Sequence, residues 1–481
     1  MDAVTVLQMG TTATEPTHAA ENYGEFLRRK SQSNTLDGFA PTFMPDGLFP
    51  FQAALTEWSI RNGRALLAED CGLGKTFQEL VFAENCVRET NRPSIILTPL
   101  AVAPQTVREA EKFGIEAAVS RDGKPAKNIT VTNYESLHKF NPNDFGSVVC
   151  DEISCLKAFD GKRRKQITRF MSKARYRLGG TATAAPNDYI ELGTIAEALG
   201  HMTQSDMLGT FFLSSDKKRH SLFKEGDFWN RAKYFFRPYS ETPFWQWVCS
   251  WARAIRSPSD MGFDDSRFVL PELIVNQVVV PTTFRFPGEL FVRIAGTLAE
   301  QRQERKRSIN ERCEIVRELV NHDQPALVWC QYNEEGIELA RMIPGAVEVA
   351  GRHSDEEKAE RLNGFATGDF RVLVTKPKIG AWGMNYQHCG HQTFFPSHSF
   401  EQWYQCVRRS LRFGRVGPVK VDIVATEGEA GVTENLQMKQ AKADAMFEAL
   451  VEQMHNAQGI KITDKHTQKV EVPEWLSSIS A

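Results

Sequence analysis

A chain of 481 residues exceeds what one ordinary hydrophobic core organises, so roughly two to four domains are expected. With 41% hydrophobic and 25% charged residues, the composition is that of an ordinary globular protein and excludes collagen-like, low-complexity and membrane-embedded classes. A formal net charge of -2 excludes a global basic excess, so a surface for a polyanion has to be a local stripe.

In chain order, residues 1–44 mix Thr, Ala, Glu, Asn and Ser with little periodicity. They predict an N-terminal arm with one helix around Tyr23 to Lys30. Met1 to Gly10 has no basic flank leading into an apolar core, and no apolar run reaches the roughly 18 to 20 residues of a membrane span. A cytoplasmic protein is therefore expected. The nine cysteines are scattered without a CxxC pair, which argues against a disulfide framework or a zinc ribbon.

From 45 to 200, apolar runs at Ala65 to Ala68, Ile95 to Thr98, Ile129 to Thr132 and Val148 to Cys150 alternate with helical stretches. This is the rhythm of a parallel sheet covered by helices. Between 201 and 270 the rhythm fails, and aromatics from Phe211 to Trp251 crowd together, which predicts a helical insertion whose aromatic side chains form core. The alternation returns in 271–430, with strands at Ala326 to Cys330, Arg371 to Thr375 and Val419 to Val424, and 431–481 reads as a C-terminal helix and tail. The fold class is thus α/β, with two tandem lobes of parallel sheet and an insertion between them.

Chemistry enters at LLAEDCGLGKT. A strand leads into a turn carrying Gly72 and Gly74, and Lys75 and Thr76 open a helix. Glycines let backbone N–H groups close round phosphate oxygens, the helix N-terminus adds partial positive charge, Lys75 reaches terminal phosphates and Thr76 can hold Mg2+. Further on, Asp151 and Glu152 end a short apolar strand, a position suited to a water-bridged Mg2+ on Asp151 and a polarised attacking water. Near the end of the second lobe, Arg409 and Arg412 fall four and seven residues after Gln405, a spacing that predicts one helical face aimed across a cleft between the lobes. Basic stripes occur at Lys162 to Lys165 continuing to Arg177, at Lys217 to Arg219 and at Arg302 to Arg307. His388, Cys389, His391 and His398 have metal-capable side chains, but their place before an apolar strand favours packing.

These segments, in this order, resemble superfamily 2 DEAD/DEAH-box-like helicases of the Swi/Snf-related kind, whose two lobes are RecA-like. LAEDCGLGKT is similar to their motif I, including the acidic residue at Glu69, where a strict P-loop has Gly or Ala; DEIS resembles the DEAH box, with Ser154 in its last position. The region from Ile95 to Phe113, containing Pro99, resembles motif Ia. TNYE, with Thr132, resembles motif Ib, and LGGTATAAPND, with Thr181 and Thr183, resembles motif III. KIGAWGMN, with Gly383 and Asn385, resembles motif V, and QCVRRSLRFGR, with Gln405, resembles motif VI; Gln52 stands where the family's glutamine meets adenine. Similarity down to SPSDMGFDDS implies a phage or prophage type.

The resemblance implies ATP and Mg2+ as cofactors, with Lys75, Asp151, Glu152, Arg409 and Arg412 catalytic. Gln52, Gly72, Gly74, Thr76, Gly383, Asn385 and Gln405 would join Lys75 in binding nucleotide, and Pro99, Thr132, Thr181 and Thr183 would touch nucleic acid. It implies an ATP-driven translocase or helicase on DNA, with phage or host replication or recombination proteins as further partners. An RNA helicase and a non-hydrolysing nucleic-acid clamp stand as alternatives.

Overall fold

The short apolar runs become parallel strands in a computed structural model, which describes residues 37–99, 102–157, 161–182, 189–214, 234–281, 298–381, 384–397, 399–429, 438, 440–441 and 447–453. The helix expected around Tyr23 to Lys30, together with Thr183, Gly383, His398 and most of the C-terminal tail, lies outside the described residues.

The first sheet contains β1 (Arg64–Glu69), β2 (Ser94–Thr98), β3 (Ala117–Val119), β4 (Ile129–Asn133), β5 (Ser147–Asp151) and β6 (Tyr176–Thr181). Two more short strands, β7 (Phe212–Ser214) and β8 (Tyr234–Phe236), pair antiparallel apart from it, and β9 (Ala252–Ile255) completes it. Its order is β3-β4-β2-β5-β6-β1-β9, with every pairing parallel. Strands covered on both faces must be apolar throughout, which is why these segments read as runs rather than as alternation. Two core clusters fill the two faces, one containing Leu66, Ala68 and Val148, the other Ala65, Leu67 and Val149. The pairing of Ala68 with Thr181 and of Asp151 with Gly180 brings the C-terminal ends of β1, β5 and β6 side by side.

The aromatic segment is built differently from the helical insertion expected over 201–270. Its helix Gln204–Phe211 runs into β7, and its helix Glu241–Trp251 is followed directly by β9, which pairs with β1 and so extends the first sheet to Ile255. Phe244, Trp245, Trp247 and Trp251 are buried in the same cluster as Leu66 and Ala68. Phe211, Phe212, Phe244, Trp245, Trp247 and Trp251 are thus core of the first lobe, whereas Tyr239 is exposed; Phe223, Phe228 and Trp229 lie outside the described residues. A four-residue strand directly after a tryptophan-rich helix leaves no turn signal in the sequence, so only the sheet reveals it.

The second sheet contains β10 (Leu273–Val280), β11 (Ala326–Trp329), β12 (Ala346–Val349), β13 (Val372–Thr375), β14 (His391–Phe394) and β15 (Val419–Thr426). Its order is β10-β15-β14-β11-β13-β12, again all parallel. Helices Ile309–Leu319 and Asn333–Met342 are joined beneath it by a buried ion pair, Arg312 to Glu335 at 2.8 Å. Two parallel sheets, each flanked by helices, make the two-lobed α/β architecture expected from the sequence. Among the described residues no helix is long and apolar enough to cross a membrane.

Candidate active site

After β1 the chain turns through Asp70 to Gly74 and enters helix Lys75–Thr90. Gly72 and Gly74 have φ of 93° and 87°, the left-handed region that glycine enters at no steric cost. A Cβ on Gly74 would also stand 2.3 Å from Gln52 Nε2. Buried Gln52 donates from Nε2 to the Leu73 carbonyl at 2.7 Å and accepts from the Phe49 N–H at 3.0 Å. Its amide therefore braces the turn from beneath. Lys75 Nζ donates to the carbonyls of Glu69 at 2.6 Å and Asp70 at 3.1 Å, which lays the ammonium across the turn.

Gly72, Gly74, Lys75 and Thr76 line a cleft of about 190 Å3 together with Pro99, Asp151, Glu152, Arg409 and Arg412. Both lobes therefore contribute to one site. The cleft lies at the C-terminal ends of β1 and β5, where open parallel sheets bind ligands.

Glu152 has φ of 59°, a left-handed conformation that costs a non-glycine residue on the order of 1 kcal/mol and is kept where the surroundings enforce it. The enforcement is visible in its partners: Glu152 Oε1 accepts from Thr181 Oγ1 at 2.6 Å and from Ser154 Oγ at 2.7 Å. The Ser154 hydroxyl also lies 3.4 Å from Glu401 Oε1 in helix Phe400–Val407 of the second lobe. The serine at the end of DEIS thus sits between the acid pair and the opposite lobe.

Burial, and then the neighbouring Glu152 carboxylate, push the Asp151 carboxyl up to about 7, against the pull of Lys75 and Arg409. Burial likewise raises Glu69 to about 7, opposed by Lys75 and by a hydrogen bond from Gln78 at 2.9 Å. Glu79, one turn after Lys75, is buried with neither carboxylate oxygen hydrogen-bonded, and burial reinforced by Asp151 holds its carboxyl well above the usual range. Lys75 therefore faces a nest of carboxyls whose proton affinity is raised by burial, Glu79 holding its proton most firmly.

From the second lobe, Arg409 Nη1 donates to the Met384 carbonyl at 3.0 Å and Nη2 to Gln405 Oε1 at 2.8 Å. Gln405 is fully buried, so its part is to hold Arg409. Arg412 Nε donates to the Arg408 carbonyl at 3.0 Å; burial and then Arg409 push its guanidinium down to about 10, and it stays charged at neutral pH. The shared helical face expected for these two arginines is not what aligns them. The helix stops at Val407, and both lie in the turns after it. Turn geometry delivers them to the cleft.

Other expected site residues are placed elsewhere. Thr132 is fully buried in β4, so its side chain has no surface to offer a nucleic acid; an apolar parallel strand leaves its last residues covered. Thr181 is fully buried too and spends its hydroxyl on Glu152. Asn385 is exposed and closes a local turn with Gln387, accepting from its N–H at 3.1 Å. Sequence reasoning missed Asp70, Tyr404 and Arg408. The Asp70 carboxylate accepts from both the Tyr404 hydroxyl and the Arg408 guanidinium across the lobe boundary. A third arginine beside Arg409 was legible, but its target was not.

Residues 46–185 match the family model described as type III restriction enzyme, res subunit. Among curated proteins, the chain is 28% identical over 188 residues to the mouse (Mus musculus) DNA annealing helicase and endonuclease ZRANB3, covering 35% of this chain and 17% of that protein. It is 27% identical over 198 residues to the uncharacterized ATP-dependent helicase YqhH of Bacillus subtilis, covering 38% and 34%. It is 25% identical over 219 residues to the CHD3-type chromatin-remodeling factor CHR7 of Arabidopsis thaliana, covering 40% and 18%. The matched stretches thus span about a third or less of these relatives' lengths. A solved structure of the Sulfolobus solfataricus SWI2/SNF2 ATPase core in complex with dsDNA aligns over 87% of this chain and 96% of its own, at 16% identity and a TM-score of 0.40. The family match on the first lobe, the helicase and remodelling-factor relatives and the ordered motifs across two parallel-sheet lobes make the chain similar to superfamily 2 helicases of the Swi/Snf-related kind.

Proposed function

We propose that the chain hydrolyses ATP between its lobes and uses the cycle to move along DNA. The observation that carries this reading is that one cleft gathers Lys75, Thr76, Asp151 and Glu152 from the first lobe and Arg409 and Arg412 from the second. The donor set suits Mg2+, a hard cation that takes oxygen ligands: a threonine hydroxyl and a carboxylate line the same cleft as the phosphate turn. Thr76 and Asp151 would hold the ion, which supplies charge neutralisation for the phosphates.

The remaining roles belong to this chain. Lys75 leaves its two carbonyl acceptors to meet the terminal phosphates. Glu152, fixed by Thr181 and Ser154, orients and deprotonates the attacking water. Arg409, clamped by Gln405, and Arg412 stabilise charge on the transferring phosphoryl group and make turnover depend on lobe closure. Thr181 and Ser154 link the acid pair to β6 and to the second lobe, which couples hydrolysis to lobe movement. Gripping the nucleic-acid backbone by phosphate contacts gives binding that is largely independent of sequence.

DNA is preferred over RNA because a curated relative is named as a DNA annealing helicase; the phage or prophage type rests on the motif resemblance alone. The test is ATPase activity with single-stranded, duplex and forked DNA and with RNA of matched sequence. Stimulation by DNA is expected; stimulation by RNA alone transfers the reading to an RNA helicase, and the absence of turnover with every polymer overturns it.

A further inference from the structure

A buried, charged contact between the lobes uses residues that the proposed hydrolysis does not. Asp70 lies immediately before the phosphate turn and is 5% exposed. Its Oδ1 accepts from the Cys71 N–H at 2.6 Å and from the Tyr404 hydroxyl, and its Oδ2 accepts from Arg408 Nη2. Tyr404 and Arg408 are one helical turn apart in sequence, and the Arg408 guanidinium also lies over the Tyr404 ring, 5.2 Å from its centroid. The charged pair is nearly dry, with side-chain exposures of 12% for Arg408 and 7% for Asp70. A buried, multiply hydrogen-bonded charge pair cannot be opened cheaply on one side, because the partner is left as an uncompensated buried charge.

Position makes the contact consequential. Asp70 is two residues from Gly72, and Arg408 is adjacent to Arg409, whose Nη2 points at Cys71 Sγ at 3.9 Å. Phe413, a little further along, comes so close that a Cβ on Gly72 would stand 3.0 Å from its ring. The lobes therefore meet round the phosphate turn through contacts made by the protein alone.

We propose that Asp70, Arg408 and Tyr404 form an interlobe clasp that seats the second lobe against the phosphate turn through protein contacts alone and so presets Arg409 at the cleft. These are positioning residues; they act through Arg409 and the phosphate turn and do not touch the phosphates. Because the clasp uses no group of the nucleotide, it lowers the ordering cost of closure, and its loss falls first on ATP affinity.

The inference rests on the ATPase reading for its consequence but not for its geometry, and the test separates the two. The full chain is labelled for energy transfer through non-natural residues at exposed Lys112 and Arg341, one on each lobe, and read without nucleotide. Arg408→Gln is expected to lower transfer efficiency and raise the KM for ATP about tenfold with kcat changed less than threefold, Arg408→Lys to restore part of both, and Tyr404→Phe to act in the same direction more weakly. Unchanged transfer in both Arg408→Gln and Tyr404→Phe overturns the clasp. Lowered transfer in a protein without ATPase activity supports the clasp and removes the ATPase reading instead. Should Arg408→Gln not fold, Tyr404→Phe, which removes only a hydroxyl, decides alone.

Discussion

At the scale of single residues, the site is defined by which carboxyls hold protons. Asp151 retains its proton up to about pH 7 in the nucleotide-free protein, and a protonated carboxyl is a poor ligand for Mg2+. The affinity for Mg-ATP is therefore expected to fall as pH drops through 7, and binding near pH 7 to release a proton. Calorimetry in two buffers of different ionisation enthalpy reads this directly, and equal heats in both would contradict it. Glu79 has a stability signature. Its native carboxyl keeps a proton that the unfolded chain loses above about pH 4, so it costs stability that grows as pH rises from there. Glu79→Gln removes this cost, so its melting temperature should gain on the wild type progressively between pH 5 and pH 8; a constant difference would argue against it. Lys75→Ala and Glu152→Gln should each lower kcat by about a hundredfold or more. Nucleic-acid-stimulated turnover surviving either change would remove the proposed mechanism.

At the scale of elements, the second lobe is tied under its sheet by the buried ion pair of Arg312 and Glu335. Arg312 is fully buried; it reaches Glu335 at 2.8 Å, the Arg305 carbonyl at 2.6 Å and Ser308 Oγ at 3.1 Å. Glu335 in turn accepts from the N–H groups of Gln331 at 2.8 Å and Tyr332 at 2.9 Å, fixing the entry to helix Asn333–Met342. Removing one partner strands the other as a buried charge, so Arg312→Ala should destabilise the lobe by about 3 to 5 kcal/mol, measured by urea unfolding. The same element scale explains the aromatic segment. Its helix packs Trp245 and Trp251 into the first core, and β9 closes the sheet edge beside β1, so its function is to complete the lobe that carries the phosphate turn.

At the scale of the whole molecule, a nearly neutral chain that moves along DNA, as proposed, has to grip the polyanion locally. Helix Gly161–Met171 follows the acid pair and exposes Lys162, Arg163, Lys165 and Arg169, while Ile167, Phe170 and Met171 turn inward. Each phosphate contact on duplex DNA steepens the dependence of log K on log salt by about 0.9. Replacing Lys162, Lys165 and Arg169 with glutamine should flatten that slope by up to about 2.7 if all three meet phosphates. An unchanged slope would assign this helix to solvent.

The sequence by itself determined the lobes' chemistry and much of their framework. A phosphate turn must put glycines, lysine and threonine in one contiguous order, and buried parallel strands must be apolar runs, so LLAEDCGLGKT and strands such as Ala65 to Ala68 and Val419 to Val424 were legible, while the edge strands β3, β9, β10 and β12 were not. Residues such as Arg409 and Arg412 could be picked by their spacing, although turns rather than a helix aim them. Only the tertiary structure decided what crosses between elements distant in the chain: β9 joining β1, Thr132 disappearing into the sheet, Gln405 holding Arg409, and Asp70 meeting Tyr404 and Arg408. Local propensity and periodicity act over a few residues, whereas burial and ion pairing depend on which remote surface arrives opposite. That is why the proposed site residues could be read from the chain and the contacts of Asp70 with Tyr404 and Arg408 could not.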